Sequence, residues 1–140
     1  MIHHGNLTIT KHNAADFAAL TSVGGYLYID ADAQLPALTS VYGHAMPSAQ
    51  DADARIRRIA EIVLSNGDAL QMVDWHTCDT THCLAGWAIH NEGEAGYALE
   101  RETSPAAAGA ILLGVEAASK FFKDNDAVMT WLRSKVEVAA

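Results

Sequence analysis

The sequence predicts an α+β protein: a small N-terminal sheet built from repeats, packed on a C-terminal bundle of five or six short helices. Three observations predict it. Residues 5–46 repeat themselves and alternate as strands do. Residues 47–75 switch to a helical period, and the remainder carries a succession of helix start and stop signals. The chain then divides into a repeat-built β region, residues 1–46, and a helical region, residues 47–140. At 140 residues, half of them hydrophobic, the two form one compact unit.

In the repeat, Ala19-Leu20-Thr21-Ser22-Val23 recurs as Ala37-Leu38-Thr39-Ser40-Val41, and Gly25 recurs as Gly43. Gly25-Tyr26-Leu27-Tyr28-Ile29 is echoed upstream by Gly5-Asn6-Leu7-Thr8-Ile9. A period of roughly 18–20 residues is that of a leucine-rich or β-solenoid coil. In Leu7-Thr8-Ile9 and Leu27-Tyr28-Ile29 the aliphatic residues share one strand face, which only stacking can bury. Leu20, Val23, Leu38 and Val41 supply the opposite wall. The last coil degenerates after Tyr42, so the helical part is expected to cap it. The outward residues Tyr26, Tyr28, Asp30 and Asp32 form a candidate recognition face, and the open strand ladder offers a docking edge.

Pro47 breaks the pattern, and Ser48 or Asp51 then caps a helix. Ile56, Ile59, Ala60, Val63 and Leu64 make one apolar stripe, with Arg55, Arg57, Arg58 and Glu61 on the solvated side. Arg57 and Glu61 are spaced to pair, and Asn66-Gly67 is expected to end the helix with a left-handed glycine. Further on, residues 95–101 make a short helix, and Ser104-Pro105 opens a nearly all-apolar one over 106–113, stopped at Gly114. Phe121 and Phe122 are expected as core anchors. Asp124, Asn125 and Asp126 cap a last helix with a Val128, Trp131, Leu132, Val136 stripe. Asp124-x-Asp126 lacks the rest of a calcium loop.

The segment Trp75-His76-Thr77-Cys78-Asp79-Thr80-Thr81-His82-Cys83-Leu84-Ala85-Gly86-Trp87 holds both cysteines and admits three readings. His76, Cys78, His82 and Cys83, helped by His44 or His90, are the residue types that hold zinc, though they lack a second, separated pair of ligands. Alternatively, Cys78 beside a helix N-terminus, with His82 near, is a thiol nucleophile. In the third reading the site is structural. Thr80 or Thr81 caps a helix over 82–91, Cys83 and Trp87 enter the core, and Ala85 and Gly86 let another helix approach. Cys78 then packs near Cys83 in a loop pinned by Thr77, Asp79 and Thr80.

Net charge is −8, and no run of Lys or Arg exists to neutralise phosphates, which argues against direct nucleic-acid binding. The first ten residues lack a basic stretch followed by an apolar run, and residues 106–115 are too short to span a bilayer. A cytoplasmic, reduced setting follows, with no membrane partner.

The stretch Cys78-Asp79-Thr80-Thr81-His82-Cys83-Leu84-Ala85-Gly86-Trp87, with Phe121-Phe122-x-Asp124-Asn125-Asp126-Ala127, resembles a group of small phage and prophage proteins with a Cys-Gly-Thr-x-x-Cys-x-Ala-Gly-Trp kind of motif. Asp79 stands where that group has glycine, so no tight-turn role carries over. The Leu-Thr-Ser-Val-Gly-Gly-Tyr-Leu repeat is similar to solenoid repeats of phage-encoded chains. The resemblance covers most of residues 5–46 and 75–127 and brings no catalytic residue. With the acidic charge, it implies a non-enzymatic protein that binds and inhibits a host protein complex in the bacterial cell, as anti-CRISPR inhibitors of defence nuclease complexes do. The alternatives are a metal-dependent or cysteine enzyme centred on Cys78, His82 and Cys83, and a phage structural or assembly protein.

Overall fold

The structure is a computed structural model describing residues 1–78 and 80–137, the side chains of Thr77 and Glu137 excepted. Short strands β1 (Ile2–His3), β2 (Leu7–Thr10), β3 (Ser22–Val23), β4 (Leu27–Asp30), β5 (Ser40–Val41) and β6 (His44–Ala45) form the N-terminal part. The sequence repeat is also the pairing register. β2 and β4 run parallel with Leu7 opposite Leu27 and Ile9 opposite Ile29. β1, β3 and β5 are likewise parallel, with Val23 opposite Val41.

The threonine of each repeat explains part of this stacking. Thr21 donates from both its N–H and its hydroxyl to the Met1 carbonyl, at 2.8 and 2.9 Å. Thr39 does the same to the Thr21 carbonyl, at 2.8 and 3.0 Å. Leu7, Ile9, Leu20, Val23, Leu27, Ile29, Leu38 and Val41 are all buried. Each such side chain contributes on the order of 1.5–3 kcal/mol when fully removed from water.

The stack ends differently on its two sides. Tyr42 and Gly43 have φ of 55° and 78°, the left-handed pair of a tight hairpin, so β6 returns antiparallel on β5. At the first repeat, two outward polar groups of β2 are closed by one side chain. Asn13 accepts from the Thr10 N–H at 2.8 Å and donates to the Thr8 carbonyl at 3.1 Å. The ladder at β2 is therefore not the open docking edge that the repeat suggests, because a side-chain amide stands in for the next strand.

Among the described residues six helices follow: α1 (Ala49–Ser65), α2 (Leu84–Asn91), α3 (Glu94–Glu102), α4 (Pro105–Leu113), α5 (Val115–Ala118) and α6 (Asn125–Glu137). Between α1 and α2 lies a hairpin of β7 (His76–Cys78) and β8 (Thr81–His82). The Ser48 hydroxyl caps α1 and the Ser104 hydroxyl caps α4. All eight residues of α4 after its proline are buried. This helix packs on α2 and α1 and lies against β4 and β5, so one hydrophobic core runs through both parts. Among the described residues, no helix is long and apolar enough to cross a membrane.

Several local expectations are corrected. Gly67 is not left-handed; it opens a short 3-10 turn, Gly67–Ala69, capped by Asn66, whose Oδ1 accepts from the Asp68 N–H. Arg57 pairs backwards with Asp53 at 2.7 Å rather than with Glu61. Arg55 is not simply solvated: it reaches Glu92 at 3.1 Å and the Leu112 carbonyl at 2.9 Å. Phe121 is a core residue, but Phe122 is 50% exposed and turns its ring to Tyr28 and Trp75 at the surface.

Candidate functional site

The alternation of β4 sends Leu27 and Ile29 inward and leaves Tyr26, Tyr28 and Asp30 facing outward. The two tyrosine rings stack, with centroids 4.3 Å apart and planes at 29°. Such a pair contributes about 0.5–1.5 kcal/mol and holds both rings in a fixed position. Asp30 and Asp32 are exposed; Asp32 bends away toward Lys120, 3.6 Å from its ammonium. The four residues singled out in the sequence are therefore near neighbours, with Asp32 at the margin.

Phe122 was missed as a surface residue, and it lengthens this face. Its ring meets Tyr28 edge-on at 5.7 Å and Trp75 at 6.4 Å. The result is a strip running Tyr26, Tyr28, Phe122, Trp75. It continues onto a turn whose tip, Val73, is 92% exposed. This turn is fixed from several sides. Gln71 N–H donates to the His82 carbonyl at 3.1 Å, and Met72 N–H donates to Asn125 Oδ1 at 2.8 Å. The Met72 sulfur accepts from Leu84 N–H at 3.4 Å. Two clefts flank Val73 and Phe122, one of about 260 Å³ floored by Trp75 and Phe121, the other of about 580 Å³ reaching Asp124 and Asp126.

The histidine–cysteine motif folds otherwise than expected. Thr80 and Thr81 do not cap α2; Thr81 pairs with Cys78 in the hairpin, and Cys83 is the cap. The Cys83 sulfur accepts from the Gly86 N–H at 3.3 Å and is buried, and burial pushes its thiol pKa up to about 11. Cys78 is exposed instead of packed beside Cys83, and both are free thiols. Hydrogen bonding to Thr80, 3.5 Å from the sulfur, lowers the Cys78 pKa. Cys78 thus lies on a hairpin, not at a helix N-terminus, and the macrodipole does not act on it. Asp79 and the Thr77 side chain lie outside the described residues.

Of the motif, the structure brings together His76 and His82, with Nδ1 atoms 2.7 Å apart. His76 Nε2 is 2.7 Å from Glu100 Oε2, a partner contributed by α3. His82 stacks on His90 at 4.5 Å, and His90 Nδ1 is 2.9 Å from the Tyr97 hydroxyl. His44 is elsewhere, 3.7 Å from Glu102. Glu100 and Tyr97 escaped the sequence reading because only their place on α3, opposite α2, connects them to the motif. Among the described residues, no group of three or more His, Cys, Asp or Glu is disposed to hold a metal ion. With His82 only 1% exposed, a ligand from solvent does not touch it in this conformation.

Ala85 does admit a helix: it meets Gly109 of α4, where a Cβ would lie 2.7 Å from the Ala85 methyl. Gly86 serves another purpose, since a Cβ there would collide with the Trp75 carbonyl. No family model, curated protein or solved structure matches the chain.

Proposed function

We propose that this chain acts by contact, as a small acidic protein that docks on a basic surface of a host protein complex and blocks it. The observation that carries this reading is the stacked Tyr26–Tyr28 pair with exposed Asp30 beside it. Rigid tyrosines lose little side-chain entropy on binding and are common anchors of interfaces. Carboxylates beside them steer a cationic partner and set orientation. The net charge of −8 favours the same partners.

In its specific form, the proposal is a phage- or prophage-encoded inhibitor of the anti-CRISPR kind, acting in the bacterial cytoplasm on a nucleic-acid-binding defence complex. The parallel pairing at the repeat offset supports a β-solenoid reading of the N-terminal part, which here presents the tyrosines. The test is target-DNA binding by a panel of purified CRISPR-type effector complexes, read by gel shift. Wild-type protein is expected to abolish binding by at least one complex, and the double variant Asp30→Lys, Asp32→Lys to leave it intact. Failure of the wild type against every complex removes the inhibitor reading. Equal inhibition by the double variant removes this face.

A further inference from the structure

Val73 is an unusual residue for the tip of a turn. Tight turns favour Gly, Asn, Asp and Ser, and a β-branched residue gains nothing from 92% exposure. The turn is also not free to fold Val73 away. Gln71, Met72 and Leu84 tie it to β8, α6 and the start of α2 through the bonds described above. Beside it, Phe122 keeps half its surface in water and braces Trp75 edge-on. The apolar groups are thus held outward before any partner arrives, which lowers the ordering cost of binding.

The charge around these groups is predominantly negative. Asp74 follows Val73 and lines the smaller cleft, and Asp124 and Asp126 line the larger one together with Lys123. Asp124 already accepts from the Ala127 N–H at 2.9 Å, while Asp126 is exposed on the first turn of α6. Met72 adds a polarizable apolar wall, held in place by the Leu84 N–H on its sulfur.

We propose that the two clefts flanking Val73 and Phe122, one with Asp74 on its wall and the other with Asp126, together form a docking groove for an amphipathic, lysine- or arginine-bearing segment of a protein partner. The segment lays its apolar side on Val73 and Phe122 and its cations on Asp74 and Asp126. This rests on the contact reading of the chain and adds to it the chemistry of the segment bound. Phe122 belongs to both surfaces, so one partner can span the groove and the tyrosine face.

The probe is a short amphipathic helical peptide with a Leu face and a Lys face, titrated while backbone amide shifts are followed by NMR. Two control peptides replace Lys with Glu, or Leu with Ser. Saturable shifts are expected at residues 72–75 and 122–126 for the Lys/Leu peptide, weakening with added salt. Val73→Asp, and separately Asp74→Lys with Asp126→Lys, are each expected to weaken it roughly tenfold, about 1.4 kcal/mol. Equal binding of the Glu/Leu peptide overturns the proposal in favour of general apolar adhesion. Equal binding of the Lys/Ser peptide reduces it to charge attraction, and no saturable binding removes it. A sedimentation mass that falls on Val73→Asp would show the groove to be covered by a second copy, which also overturns it. Absence of peptide binding by a wild-type protein that still inhibits an effector complex would leave the tyrosine face standing and reject only the groove.

Discussion

The Nδ1 atoms of His76 and His82 stand 2.7 Å apart, so that one ring must carry the proton the other accepts. Glu100 holds the far nitrogen of His76 and thereby ties α3 to the hairpin that precedes α2. Replacing Glu100 by Ala removes that tie in a partly buried place and is expected to cost about 1–3 kcal/mol. Glu100→Gln retains a hydrogen-bonding side chain and should cost clearly less. Urea unfolding of the two variants checks this; equal stability for both would mean that the carboxylate bond contributes nothing.

The Cys83 thiol gives the protein an alkaline sensitivity of known sign. Burial raises its pKa to about 11, above the 9.0 of an ordinary thiol, so the folded state holds its proton more tightly than the unfolded one. That contribution is complete below pH 9 and is lost as pH rises toward 11, roughly 2–3 kcal/mol in all. The drop in urea midpoint between pH 8 and pH 10.5 should be larger for wild type than for Cys83→Ser, which has no thiol to titrate. A thiol reagent at pH 8 should label Cys78 alone in the folded protein, and more slowly after Thr80→Val. Rapid labelling of both thiols would contradict the burial.

Asn13 closes the outer edge of β2 with two hydrogen bonds. Asn13→Ala leaves the Thr10 N–H and the Thr8 carbonyl exposed on a strand, at a cost of about 1–2 kcal/mol. The freed edge should recruit other chains, so light scattering is expected to rise with concentration for the variant and not for wild type. A variant that stays monomeric and equally stable would show the edge to be protected by something else.

Gly86 is required by the backbone that crosses it. The Trp75 carbonyl occupies the place of a side chain, and it also accepts from the Cys83 N–H at 3.3 Å. Gly86→Ala must displace that strand and is expected to destabilise by about 3 kcal/mol or more. Gly67→Ala is the control, since its Cβ meets nothing within 4 Å; it should change stability by less than about 1 kcal/mol. Similar behaviour of the two would refute the close crossing.

What the sequence made legible was whatever depends on near neighbours. The Ser48 and Ser104 caps, the Ile56–Ile59–Val63 stripe and the burial of α4 all follow from local spacing. The repeat offset was legible too, since copied residues record which ones pair. The motif was not. Its threonines are good helix caps taken alone, yet His82 is drawn inward by His76, His90 and α3, and a strand results where a helix start was expected. The same holds for Phe122, whose exposure depends on the turn at Val73 and on Tyr28, both distant in the chain.

The hairpin at Tyr42-Gly43 closes the last repeated unit, as Asn13 lies before the Ala19–Val23 copy. The two devices that stop the stack are therefore independent of how many turns stand between them. Duplicating residues 19–36 in tandem would give the added turn the same neighbours as the original, with Thr21-type bonds above and below. An added turn that pairs as the original does would carry a second Tyr26–Tyr28 pair and lengthen the tyrosine face away from Phe122, whose contact with the first pair stays in place.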